Sequence, residues 1–179
     1  MTNHVHLLVT PTSADALPRT MHDLARRYVQ QRVNRVYGRS GTLWEGRYKA
    51  CLVDAARYFL TCCRYIELNP VRAAMAEKPE DYRWSSYRQY AFGTRDDRLC
   101  LHPVYQALGS TPAERQEAYR AVFREVLDGR AVQEVRATIN RGWPLGGEQF
   151  KDDIEATLKR AVRPPRRGRP TVKCGPDPV

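Results

Sequence analysis

The sequence predicts an α+β chain, and three observations carry that reading. Two short segments, "NHVHLLV" (3–9) and "TLWEGRYKACLV" (42–53), alternate apolar and polar residues with the period of a strand. Longer stretches at 18–37, 55–69 and 110–128 repeat apolar residues at helical spacing. From Lys159 to Lys173 there are seven Lys or Arg, no acid and several prolines, the composition of a tail that stays disordered in isolation. The chain divides accordingly into a core (1–93), a helical region (94–162) and a basic tail (163–179). Its 179 residues carry 30 Lys and Arg against 20 Asp and Glu, a net +10 that calls for a polyanionic partner. No apolar run is long enough for a membrane span and no signal peptide precedes the first strand. The expectation is therefore a cytoplasmic protein, associated with nucleic acid rather than with a membrane. Five cysteines without paired spacing argue against a disulfide scaffold or a zinc ribbon.

In the first strand His4 and His6 project from one face and Val5 from the other, because side chains two residues apart share a face. Two imidazoles standing together are a natural pair of metal ligands; the plainer alternative is a pair of exposed histidines near a frayed end. "TPTSADALP" (10–18) is a turn-rich connection, and Pro18 suits a helix start. The helix over 18–37 carries Met21, Leu24, Ala25, Tyr28, Val29, Val33 and Val36 as its stripe. Its polar side sets Arg19, Arg26, Arg27, Arg32 and Arg35 against the single acid Asp23, a surface suited to phosphate contact or simply to solvent.

"GRSG" (38–41) breaks that helix. In the second strand Trp44, Tyr48, Ala50 and Leu52 face one way, and Glu45, Arg47, Lys49 and Cys51 the other. Asp54 is placed to cap the helix that follows. That helix ends at Asn69-Pro70, since the residue before a proline leaves the α region. The aromatic stretch 79–93 reads as a packing patch rather than a base-stacking platform. Ser110 or Thr111 caps the helix over 110–128, and two shorter helices over 130–140 and 148–161 flank the turn "RGWPLGG".

Along the helix of 55–69, Tyr58, Cys62, Tyr65 and Asn69 share one face, while Phe59, Cys63 and Ile66 lie on the face expected to be buried. Two strand histidines, an amide oxygen and a neighbouring tyrosine make a set suited to phosphodiester cleavage. A divalent ion would polarise the phosphate, and a tyrosine oxygen would attack phosphorus to give a covalent intermediate. Imidazole alone favours zinc or copper; the added amide oxygen and open positions admit Mg²⁺ or Mn²⁺. The pair Tyr65 and Asn69 taken alone is equally read as a core-edge aromatic and a helix stop.

Four motifs, "NHVHLLV", "GTLWEGRYKACLVD", "RYIELNPVRAAM" and "PEDYRWSSYRQY", stand in the order found in the REP-associated tyrosine transposases, bacterial members of the single-tyrosine HUH transposases. The chain resembles that family closely over residues 3 to about 93 and loosely beyond. The resemblance implies a ferredoxin-like antiparallel sheet with helices, the HUH-endonuclease core, N-terminally truncated here and followed by a C-terminal helical region. Family members carry a strand, a helix and a further loop or strand ahead of the histidine strand, whereas this chain starts three residues before His4. The resemblance further implies that His4, His6 and Asn69 bind the metal and that Tyr65, rather than its rival Tyr58, is the nucleophile. The implied reaction is cleavage and rejoining of single-stranded, hairpin-bearing DNA through a 5′-phosphotyrosine, by a monomer or homodimer. Arg26, Arg27, Arg47 and Lys49 are candidate hairpin contacts. Arg167 and Arg169 sit in "RRGRP", which resembles a minor-groove AT-hook core. The rival readings are a non-catalytic DNA-binding protein, such as a repressor or a decayed transposase, and a small metal-dependent hydrolase.

Overall fold

A computed structural model describes residues 1, 3–125 and 128–164; Arg167, Arg169 and nearly all of the basic tail lie outside the described residues. The antiparallel sheet expected from the sequence is not there. Among the described residues no strand ladder forms, and the one β-type pairing is an isolated parallel bridge between Val53 and Leu145. Segments 3–9 and 42–52 run without helix or strand, and Val5, Leu7, Val9, Leu43, Tyr48 and Leu52 are exposed. The physical reason is pairing. Alternation prepares a face, but a strand exists only when a neighbour takes its backbone hydrogen bonds, and among the described residues none joins these two segments.

The helices follow the sequence closely. Helix α1 (Ala16–Arg26) continues through a π-helical stretch (Arg27–Asn34) into α2 (Arg35–Tyr37), one rod ended by Gly38 at φ +59°. Val29 and Val33 are its buried residues; the Tyr28 ring lies 6.5 Å from Trp44, and Asn34 Nδ2 donates to the Gly41 carbonyl at 2.9 Å. Helix α3 (Ala55–Glu67) starts after Asp54, although the Asp54 side chain makes no capping hydrogen bond. It stops just before Asn69-Pro70, where the short α4 (Asn69–Arg72) takes the proline in its first turn.

Helices α5 (Tyr87–Phe92), α6 (Pro103–Gln106), α7 (Pro112–Val122), α8 (Gly129–Arg141) and α9 (Glu148–Leu158) complete the described chain. The start of α7 carries a reciprocal cap, Thr111 Oγ1 accepting from the Glu114 amide while the Glu114 carboxylate accepts from the Thr111 amide.

Helix α3 is the axis of packing, and the expectation that a single face is buried needs correcting. Phe59 and Cys63 pack into an aromatic cluster with Tyr87, Tyr90, Ala91, Tyr105 and Tyr119. On the other side Cys62 and Tyr65 pack against Val135 of α8 and Leu145 of the following turn. Both sides are covered because helices from the C-terminal half close on α3 from two directions. The turn seats tightly: Gly142 at φ +68° ends α8, and a Cβ at Gly146 would fall 2.3 Å from the Phe150 ring and 3.1 Å from Asp54 Cβ. Leu145 then exchanges backbone hydrogen bonds with the strand-like end at Leu52 and Asp54, each 2.8 Å.

The tyrosine-rich cluster is polar at its centre. Glu67, fully buried, accepts from Ser86 Oγ at 2.5 Å and from the Tyr119 hydroxyl at 2.8 Å. Tyr105 donates to the Tyr90 carbonyl at 2.8 Å, and Tyr90 to the Cys100 carbonyl at 3.2 Å. The phenol oxygens of Tyr90, Tyr105 and Tyr119 thus find partners where their rings are buried. Much of the 79–93 aromatic stretch is packing, as expected; the exceptions are Phe92, half exposed, and Trp84, 68 % exposed with Arg83 over its ring at 4.3 Å.

Candidate active site

The C-terminal end of α3 opens onto a cleft of about 440 Å³ lined by Met1, His4, His6, Tyr65, Asn69, Arg72, Ala73, Arg136 and Asn140. Four residues singled out in the sequence, His4, His6, Tyr65 and Asn69, therefore meet at one place although the sheet expected to present two of them is absent. The imidazoles of His4 and His6 stand 4.9 Å apart, centre to centre, and the His6 ring meets the Tyr65 ring edge-on at 5.5 Å. Tyr58, the rival tyrosine, does not line the cleft; its hydroxyl donates to Glu134 at 3.4 Å.

Tyr65 is only 5 % exposed, its ring wedged between Val135 and Leu145 on one side and Arg72 on the other. Among the described residues its hydroxyl makes no hydrogen bond, nor does the Asn69 side chain, which is 8 % exposed and lines the same cleft. Burial lowers the His6 proton affinity below the usual imidazole value, helped by His4, the Met1 ammonium and Arg72. A neutral imidazole has a lone pair to offer a metal.

Two imidazoles and an amide oxygen on one cleft suit a divalent cation by kind of donor. The described residues hold no group of three or more His, Cys, Asp or Glu side chains that could bind a metal. A cation here would thus meet no protein carboxylate, and its charge would have to be balanced by an incoming anion.

The other predicted contacts divide. Arg26 and Arg27 are exposed on the α1 rod and Arg47 on the loop after it, none of them lining the cleft. Lys49 reaches its rim: Nζ donates to Asn140 Oδ1 at 2.9 Å, tying the 42–53 segment to α8. Sequence reasoning missed Arg72, Arg136 and Asn140. Arg72 was within reach, three residues after Asn69 in "NPVRAAM". Arg136 and Asn140 are one turn apart on α8, and only the docking of α8 on α3 brings them to the site.

Paired imidazoles, a tyrosine and two guanidiniums on one cleft are groups whose chemistry suits a phosphate ester. Comparison with known proteins is in keeping with this: residues 1–69 match the family model described as Transposase IS200 like. The matched stretch holds both histidines and Tyr65 and ends on Asn69, so the match supports a transposase-family role. Neither the curated proteins nor the solved structures contain a match to the chain. Among the described residues no helix is long and apolar enough to cross a membrane.

Proposed function

We propose that the chain is a tyrosine nuclease of the REP-associated kind, cleaving and rejoining hairpin-bearing single-stranded DNA. The observation that carries the reading is the convergence of His4, His6, Tyr65 and Asn69 on one cleft. The Tyr65 oxygen loses its proton to solvent and attacks phosphorus; the bond from phosphorus to the 3′-oxygen breaks, and that oxygen leaves as a hydroxyl after gaining a proton. The phosphate stays on Tyr65 as a 5′-phosphotyrosine, from which a free 3′-hydroxyl can reverse the attack and join strands. His4, His6 and Asn69 would hold Mg²⁺ or Mn²⁺, which would supply charge stabilisation at the scissile phosphate. The net charge of +10 favours a DNA partner over a neutral ester.

A second reading, a DNA-binding protein without catalysis, also draws on a specific observation. Among the described residues, 3–9 make no backbone hydrogen bond, so the histidine pair is held by side-chain contacts and little else.

The experiment is covalent capture on a denaturing gel, with a labelled single-stranded hairpin library, Mg²⁺ or Mn²⁺, and Tyr65→Phe and His4→Ala beside the parent protein. A shifted band lost in both variants supports the nuclease. Hairpin binding with no band in any lane supports the second reading.

A further inference from the structure

The cleft carries two cations that none of the expected roles uses. Arg72 lies at its edge, where Nη2 donates to the Tyr65 carbonyl at 2.6 Å and the guanidinium carbon sits 5.0 Å over the Tyr65 ring. Arg136 comes from α8, one turn before Asn140, and lines the same cleft. Neither forms an ion pair among the described residues, although ten other pairs of a basic and an acidic side chain are present. Among the described residues no carboxylate lines the cleft.

The two guanidiniums also sense each other. Burial works most against the Arg72 cation, Tyr65 acts the other way, and the Arg136 charge works against it by the smallest amount. Like charges left facing a shared space without an acid are unfavourable in the free protein, and an anion placed between them removes that cost. The flat, forked guanidinium matches phosphate oxygens in pairs.

We infer that Arg72 and Arg136 form a two-guanidinium seat for a phosphate of the DNA strand, holding it against the Tyr65 oxygen. Arg72, fixed to the backbone of the residue that would attack, sets the distance; Arg136, from α8, supplies the second guanidinium. Helix α8 lies outside the stretch matched by the transposase family model, so the C-terminal half would contribute to the site itself. Lys49, joined to Asn140 at the rim, extends the positive charge along the strand's path. The identity of the anion rests on the nuclease reading; the existence of an anion seat does not.

A plain structural role is available for Arg72 alone, since a cation that binds a carbonyl in the last turn of α3 favours that helix end. Arg136, exposed and without a hydrogen bond among the described residues, has no such role, and the test therefore turns on it.

The measurement is fluorescence anisotropy of a short labelled single-stranded DNA over a range of salt, with EDTA present and in Tyr65→Phe protein so that no chemistry intervenes. The variants are Arg136→Ala, Arg136→Lys and Arg72→Ala, with Arg95→Ala as control, since Arg95 is paired with Asp97 away from the cleft. Each lost phosphate contact lowers the slope of log K against log salt by about 0.7 for a single strand. Arg136→Ala and Arg72→Ala should each show that loss with a several-fold weaker affinity, Arg136→Lys should keep the slope, and Arg95→Ala should match the parent. In protein that retains Tyr65, Arg136→Ala should slow adduct formation by about 10²–10³-fold, as when one donor to a developing oxyanion is removed.

If Arg136→Ala and Arg72→Ala bind with the slope and affinity of Arg95→Ala, the seat is overturned, whether or not an adduct forms. If the slopes fall as expected while the parent protein forms no adduct under any condition, the seat stands and the nuclease reading falls.

Discussion

Glu67 lies two residues from Tyr65 on α3, buried completely, and it sets a quantitative test of the core that positions the site. Burial raises its carboxyl from an ordinary 4.5 to about 7, against the pull of the hydrogen bonds from Ser86 and Tyr119. The unfolded chain releases that proton near 4.5, so between about pH 4.5 and about pH 7 the folded state holds a proton that the unfolded state has lost. Folding stability from this group is full below the unfolded value and falls as pH rises through about 7. At about 1.4 kcal/mol per pH unit the whole loss is about 3 kcal/mol, a large part of the ~5–15 kcal/mol that holds a domain together. Glu67→Gln keeps the shape and an acceptor oxygen but cannot ionise. Urea unfolding of parent and variant at about pH 5 and about pH 8 isolates the group, because all other titrations cancel in the difference. The variant should gain about 2.5 kcal/mol on the parent between the two pH values, about half of it above pH 6. Parallel curves, agreeing within about 0.5 kcal/mol, would refute the claim that burial dominates over the two hydrogen bonds.

Other consequences are simpler to test. Leu145→Ala removes a side chain packed against Cys62, Tyr65 and Val135, and should cost about 2–5 kcal/mol in denaturant unfolding while loosening α8 from α3. Thr111→Ala breaks the reciprocal cap of α7 and should cost about 1 kcal/mol by the same measurement. Burial pushes the Cys62 thiol up to about 12 and raises Cys63 well beyond the usual thiol range, whereas Cys100 is exposed. Iodoacetamide followed by peptide mapping should label Cys100 in native protein, and Cys62 and Cys63 only after unfolding.

The helices were legible because their signals are local. Gly38 at a left-handed position, Asp54 before an apolar stripe, Asn69-Pro70 and the Thr111–Glu114 box each act within one or two turns, and each stands at the expected helix boundary. The strands were not legible in this sense. The alternation in 3–9 and 42–53 specifies which side chains could share a face, but pairing depends on a distant backbone, and among the described residues only Val53 finds one. The site divides along the same line. His4 and His6 are neighbours through local geometry, and Tyr65 and Asn69 are one turn apart; all four line one cleft although the sheet is absent among the described residues. Arg136 and Asn140 lay beyond reach because nothing in "EVRATIN" says that this face of α8 docks beside Tyr65 rather than facing solvent.

The central claim is that Tyr65 takes the DNA phosphate. Mass spectrometry of the covalent adduct, after nuclease trimming and proteolysis, names the modified residue directly. The account predicts a nucleotide 5′-phosphate on the peptide containing Tyr65 and none on Tyr58, about 10 Å of helix rise away on the same element. A nucleotide on Tyr58 or on any other residue, or parent protein that binds the hairpin and never acquires one, would contradict it.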